Sequence, residues 1–221
     1  MKERIFLKKF SVLMLTVLLL ILPFVSTSHA FAKEISLRDE VNCAKVNNLK
    51  AMNHRLWENH VFWTGNYITS AISGLENKQA VLERLLKNQT DIGNFFEPYY
   101  GKESAKKIGD LFTEHITLAG QLVEAAKSNN KDEFARLNDL WYKNGDAIVD
   151  LLSGLNPNWS KAQLRDMFHK HLQLVTEQVV TTLNKDWKGN IATFDKGEEH
   201  MLNFADIISE GIVKQFPNKF K

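Results

Sequence analysis

Leu56-Trp57-Glu58-Asn59-His60-Val61 returns as Leu111-Phe112-Thr113-Glu114-His115-Ile116, and again as Met167-Phe168-His169-Lys170-His171-Leu172. Each copy sets an apolar residue, an aromatic, two variable positions, a histidine and an apolar residue. The histidines lie 55 and 56 residues apart. A second set of echoes follows. Lys87 to Phe96 aligns without gaps on Lys143 to Leu152 and on Glu199 to Ile208, in steps of 56 residues. Asn88, Asn144 and His200 are equivalent in that alignment, as are Asn94, Asp150 and Asp206. Two echoes with one period read as an internal repeat of about 56 residues, each unit too small to bury its own apolar face.

Around these stretches the apolar spacing is helical, with no convincing period-2 strand. Turn signals divide the chain regularly. Gly74-Leu75-Glu76-Asn77, Pro98-Tyr99-Tyr100-Gly101, Ser128-Asn129-Asn130-Lys131 and Gly154 to Ser160 are the strong ones. Asn184-Lys185-Asp186 is weaker, and Pro217 ends the last helix. The expected fold is all-α: an antiparallel bundle of three helical hairpins, at roughly 54–97, 102–153 and 160–216. A lead-in helix over 33–53 precedes a single bundle domain over 54–217.

His60, His115, His171, His200, Asn88 and Asn144 all fall on apolar stripes and are expected to face inward. In each hairpin the histidine and its Asn or His counterpart lie about 14 positions from the bend, roughly 21 Å up both arms. Three hairpins side by side therefore bring the six to one level. A buried polar layer must satisfy itself, hold water or bind something. Neutral imidazoles are common metal ligands, so His60, His115, His171 and His200 form a candidate site for a divalent transition metal. Asn88 and Asn144 are candidate binding partners for the same ligand. Glu58, Glu114, Glu177, Glu198, Glu199 and Asp146 are candidate supporting carboxylates. The other reading is an internal hydrogen-bonded network.

Several chemistries lack their motifs. No inward helix carries Glu-x-x-His, and no His-x-x-x-His occurs. There is no Gly-rich phosphate loop and no Gly-x-Ser-x-Gly elbow. His169 and His54 are expected at the surface or edge. Asp91, Asn94, Asp150 and Asp206 are expected to make local hydrogen bonds on the flanks.

The first segment reads as an address. Lys2, Arg4, Lys8 and Lys9 precede an apolar run from Val12 to Leu22, then Pro23, then Ala30-Phe31-Ala32 as a cleavage site. Residues 1–32 are thus expected to be a cleaved signal peptide, which makes the chain secreted or extracytoplasmic. The remainder carries 24 basic and 25 acidic side chains, a net charge of −1, with no basic run for nucleic acid. No membrane attachment is expected after cleavage. Cys43 stands alone. It reads as a small core residue of the first helix or, less simply, as a bridge to a second chain in a dimer.

The stretches LWENHVFWT (56–64), RLLKNQTDIGN (84–94), NPNW (156–159) and SEGIVKQFP (209–217) resemble a family of secreted helical proteins of spore-forming bacteria. The resemblance covers nearly all of residues 54–217. It implies a helical bundle outside the cytoplasm and no established activity. Members often carry the labels glycosyltransferase or acetylglutamate kinase, yet this chain has neither the α/β alternation nor the nucleotide loops of those chemistries.

Three functional readings follow. One is a binding protein whose mid-bundle layer holds a metal or small polar ligand. Another is a structural or interaction module of the cell envelope. The third is a metal-dependent hydrolase or transferase built on the same layer.

Overall fold

Residues 40–221 are described in the computed structural model, so the signal segment and the start of the expected lead-in helix lie outside the described residues. The chain divides into two compact units. Of the first, residues 40–46 are helical and Cys43 is exposed, so its reading as a core residue does not hold. The second, Asn47–Lys219, contains the hairpins.

The described residues form five α-helices and no strand. Helix α1 covers 40–73 and α2 covers Lys78–Lys127. α3 is Lys131–Leu155, α4 Lys161–Leu183 and α5 Trp187–Gln215, followed by a 3₁₀ turn at Pro217–Lys219. The expected boundary at 53/54 is absent: α1 runs through it, because nothing between Leu49 and Leu56 interrupts the helical pattern.

The break expected at Pro98 to Gly101 is real: α2 is two helices that fold back on each other at Gly101, so that Lys78 near its start pairs with Glu124 near its end and Gly93 lies against Gly109. Pro98 has no N–H to give to the preceding turn, and its ring crowds a carbonyl there. Gly101 then takes φ 78° and ψ 165°, a region essentially closed to residues with a side chain. α2 thus has two arms, 78–100 and 102–127. The first pairs with α1, the second with α3, and α4 pairs with α5.

Local chemistry sets the other ends. Asn130, Ser160 and Asp186 accept the backbone N–H of Glu133, Gln163 and Gly189 and so cap α3, α4 and α5. The weakest expected break is real. There Lys185 holds φ 57°, a left-handed conformation that costs a non-glycine residue about 1 kcal/mol, which is why the composition flags it poorly.

All three hairpin turns lie at one end. Lys78 pairs with Glu124 at 2.9 Å, and Lys127 donates to the carbonyl of Ala71 at 2.6 Å. Val179 packs with Tyr67, Ile68 and Ala71. At the other end the α2 reversal, the 156–160 turn and the C-terminal turn meet. Tyr100 donates to Gln215 at 2.8 Å, Asn156 donates to Tyr100 at 2.9 Å, and Lys219 donates to the Pro98 carbonyl at 2.7 Å.

The core between them is aromatic. Trp57, Phe112 and Phe168 stand three residues before their histidines and close a ring with Phe204. Centroid distances are 5.5 Å (Trp57–Phe112), 6.1 Å (Phe112–Phe168), 5.7 Å (Phe168–Phe204) and 5.0 Å (Phe204–Trp57). All four are fully buried. Each contributes about 2–3 kcal/mol by burial alone.

Candidate functional site

One helical turn beyond the aromatic ring lies the polar layer. His60 on α1, His115 on α2 and His171 on α4 are buried, as are Asn88 on α2 and Asn144 on α3. The ring centroids of His60 and His171 are 5.5 Å apart, and those of His115 and His171 6.2 Å. The three imidazoles therefore meet between the hairpins, one from each. His200 on α5 is only half-buried.

The same bond closes each hairpin. Asn88 Nδ2 donates to the Leu56 carbonyl at 3.1 Å, and Asn144 Nδ2 to the Leu111 carbonyl at 3.1 Å. His200 Nε2 donates to the Met167 carbonyl at 2.8 Å. Each acceptor lies four residues before a histidine of the layer. The asparagines thus reach carbonyls one turn below the level expected for direct His–Asn pairing.

Only the second hairpin adds that pairing. Asn144 Nδ2 also donates to Glu114 at 3.1 Å, so its Oδ1 is the acceptor for His115 Nδ1 at 2.9 Å. His115 accordingly carries its proton on Nδ1. In the first hairpin Gln89 Nε2 donates to Asn88 Oδ1 at 3.3 Å, and His60 Nδ1 is left without a bond. The residue after Asn144 is Gly145, which has no side-chain amide to compete.

Unpartnered buried polar atoms gather here: His60 Nδ1, Thr64 Oγ1, Gln89 Oε1, Trp141 Nε1 and His171 Nδ1. Such atoms are uncommon because each forfeits hydrogen bonds with water. Two of them, from Thr64 and His171, line a crevice of about 10 Å³ beside Gly197. That space suits a single water molecule and nothing larger.

Burial keeps the imidazoles neutral. It pushes His60 down to about 3, helped by the nearby His115 and opposed by the Gln89 amide. It pushes His115 down to about 4, opposed by the bond to Asn144. His171 lies well below the usual range through burial first, then through His60, His115 and His200.

Neutral imidazole suits a metal, but the donors do not converge. Among the described residues no group of three His, Cys, Asp or Glu side chains is placed to hold a metal ion. His200 gives Nε2 to a carbonyl and His115 gives Nδ1 to Asn144. Of the expected supporting carboxylates, Glu58, Glu114, Glu177 and Glu199 are exposed and Glu198 is half-buried. Asp146 instead holds His169 and Arg165 at 3.1 Å each, on the bundle flank. His54 likewise pairs with Asp206 at 3.0 Å. Asp91 meets Lys87 one turn away, the local partnership expected, but Asp150 meets Lys161 across the α3–α4 turn and Asp206 meets His54 from another helix, which are not local.

Sequence reasoning missed Gln89, Thr64 and Gly197. The alignment offered one signal: Gly197 stands where Leu85 and Trp141 stand in the other hairpins. It also missed a cleft of about 580 Å³ toward the turn end, lined by Tyr67, Leu82, Leu86, Ile116 and Gly120 among others and by none of the six layer residues.

No family model, curated protein or solved structure matches the chain.

Proposed function

We propose that the protein is an interaction module of the cell exterior, in which the histidine and asparagine layer fixes the register of three hairpins. The carrying observation is the bond made at the same place three times, from Asn88, Asn144 and His200 to Leu56, Leu111 and Met167. Sliding one arm by a turn would separate each donor from its carbonyl, and an unpaired buried group costs about 1–3 kcal/mol. One arrangement of the arms is thereby selected. The same three bonds support an origin of the chain in one tripled hairpin. The shielding of the imidazoles and the water-sized space beside them support register rather than turnover. Export rests on the pattern of residues 1–32.

A second reading, binding of a small molecule, draws on the cleft of about 580 Å³, which falls in the usual range for such sites of about 300–1,000 Å³.

The discriminating experiment uses protein purified without a histidine tag, loaded with zinc or copper, dialysed and analysed for metal. The register reading expects no stoichiometric metal and a His115→Ala variant that melts lower but stays helical. One equivalent of metal, lost in His115→Ala, would replace it with the metal-binding reading.

A further inference from the structure

The cleft toward the turn end draws its walls from α1, both arms of α2 and α3. Leu82 and Leu86 come from the first arm, Ile116 and Gly120 from the second, Leu137 from α3 and Tyr67 from α1. Gly120 makes room for the phenol. A methyl group there would stand 3.1 Å from the Tyr67 hydroxyl oxygen, and the three nearest atoms beyond its own helix all belong to Tyr67. The equivalent glycine of the first hairpin, Gly65, is instead crowded by Gln178 at 3.1 Å and by the Phe194 ring of α5 at 3.2 Å. One junction of the repeat is thus filled, and the other is left open with a volume of about 580 Å³.

The charges in these walls are already matched. Lys78 pairs with Glu124 at 2.9 Å, and Glu133 with Arg136 at 2.7 Å. Most neutral polar groups are spent as well. The Thr117 hydroxyl donates to the Thr113 carbonyl, the Gln79 amide donates to Glu83, and Asn130 caps α3. The Tyr67 hydroxyl and the Gln121 amide remain, with no hydrogen bond to any described residue. Gln121 is exposed, but Tyr67 is only 6 % exposed, and a buried phenol ordinarily has a partner for its O–H. Its oxygen lies over Gly120 and within reach of the Glu124 and Lys78 charges, all three residues of the cleft wall. Unlike the orphaned atoms of the histidine layer it is not sealed from solvent, so it opens into the cleft.

We propose that this cleft binds a neutral, mostly apolar small molecule with one acceptor oxygen, which the Tyr67 hydroxyl holds. The volume suits a small molecule, and aliphatic walls with few free polar groups are the usual build of such sites. An ionised ligand would find its counter-charges already paired and would lose water without replacement. Burial, then Glu124, raises the phenol above its ordinary range, opposed by Lys78, so it is a donor throughout the neutral range. The proposal rests on the small-molecule reading of the cleft and supplies its ligand class. It uses none of the six residues of the layer.

The probe for the test is prodan, a neutral naphthalene ketone. Its emission moves blue in apolar surroundings and red when its carbonyl accepts a hydrogen bond. With the full chain we expect saturable binding of one equivalent and emission blue of that in water. Tyr67→Phe keeps the ring and removes the donor, so it should weaken binding about fivefold and shift the bound emission further blue. Gln121→Trp places an indole in the cleft from an exposed position and should abolish binding. Neither change removes a hydrogen bond between described residues, so both variants should melt no lower than the native chain. Anilinonaphthalene sulfonate, of similar shape but anionic, should bind about tenfold more weakly than prodan. Prodan binding that survives Gln121→Trp lies elsewhere and overturns the proposal, as does binding that Tyr67→Phe leaves unchanged. A sulfonate probe that binds more tightly than prodan and is lost in Gln121→Trp overturns the neutral ligand but keeps the cleft as a small-molecule site. Binding of neither probe overturns both.

Discussion

The Nδ1 proton of His115 is held by Asn144 Oδ1 at 2.9 Å across the second hairpin, whereas Gln89 occupies Asn88 in the first and leaves His60 Nδ1 without a bond. Two asparagines at equivalent places therefore do different work. Asn144→Leu removes the partner of His115 and of the Leu111 carbonyl together, and should lower stability by about 2–4 kcal/mol. His115→Phe added to Asn144→Leu removes the stranded donor and should recover part of that loss. Urea unfolding of the single and double variants measures both. A single variant within about 0.5 kcal/mol of the native chain would show that the bond does not hold the layer.

Acid should open the bundle through the same residues. His60, His115 and His171 bind protons more weakly when folded than when unfolded, where the ordinary value is about 6.5. Their contribution is thus fully present above pH 6.5 and is lost as pH falls toward 4 and 3. Each adds a slope of at most about 1.4 kcal/mol per pH unit, so the three together add at most about 4. Urea midpoints should be flat from pH 8 to 7 and fall steeply from 6 to 5. His171→Phe should shed about a third of that slope. A flat profile down to pH 4.5 would mean that the imidazoles take up protons in the folded chain.

The two arms of α2 touch where glycine is required. A methyl group on Gly93 would stand 2.7 Å from the Ala105 carbonyl oxygen and 2.9 Å from Gly109 Cα, both backbone atoms. Gly93→Ala should push the arms apart and cost about 1–3 kcal/mol. Gly109→Ala meets its nearest atom at 3.6 Å and sits in a helix, where alanine is favoured over glycine by about 0.5–1 kcal/mol. It should be neutral or stabilising. Thermal melts of the two variants, differing in sign, check the geometry.

How far the sequence speaks depends on which interactions are local. Helical periodicity and the turn at Gly74 are written in neighbouring residues, and the helices follow them. The inward direction of His60, His115, His171, Asn88 and Asn144 is also local, set by the apolar stripes on which they lie. The partners are not local. Asn88 finds the Leu56 carbonyl rather than His60, a pairing set by the stagger between two arms 32 residues apart in sequence. Gln89 diverts Asn88 through an adjacent side chain that no periodicity flags. The reversal between the two arms of α2 is local too: Pro98 marks it and Gly101, at φ 78°, makes it.

At the far end one phenol holds three elements. Tyr100 on α2 donates to Gln215 Oε1 on α5 at 2.8 Å and accepts from Asn156 Nδ2, in the turn before α4, at 2.9 Å. Asn156 is fully buried, and Gln215 Nε2 returns to the Leu155 carbonyl at 3.0 Å. Burial raises the Tyr100 phenol above its ordinary range, partly opposed by the Asn156 bond, so it stays protonated through mild alkali. Tyr100→Phe keeps the ring that packs edge to face on Phe216 but strands a buried amide donor. It should cost about 1–3 kcal/mol, with hydrogen exchange accelerated at residues 154–160 and at the end of α5 before the hairpin turns respond. Uniform acceleration across all five helices would show instead that this end has no stability of its own.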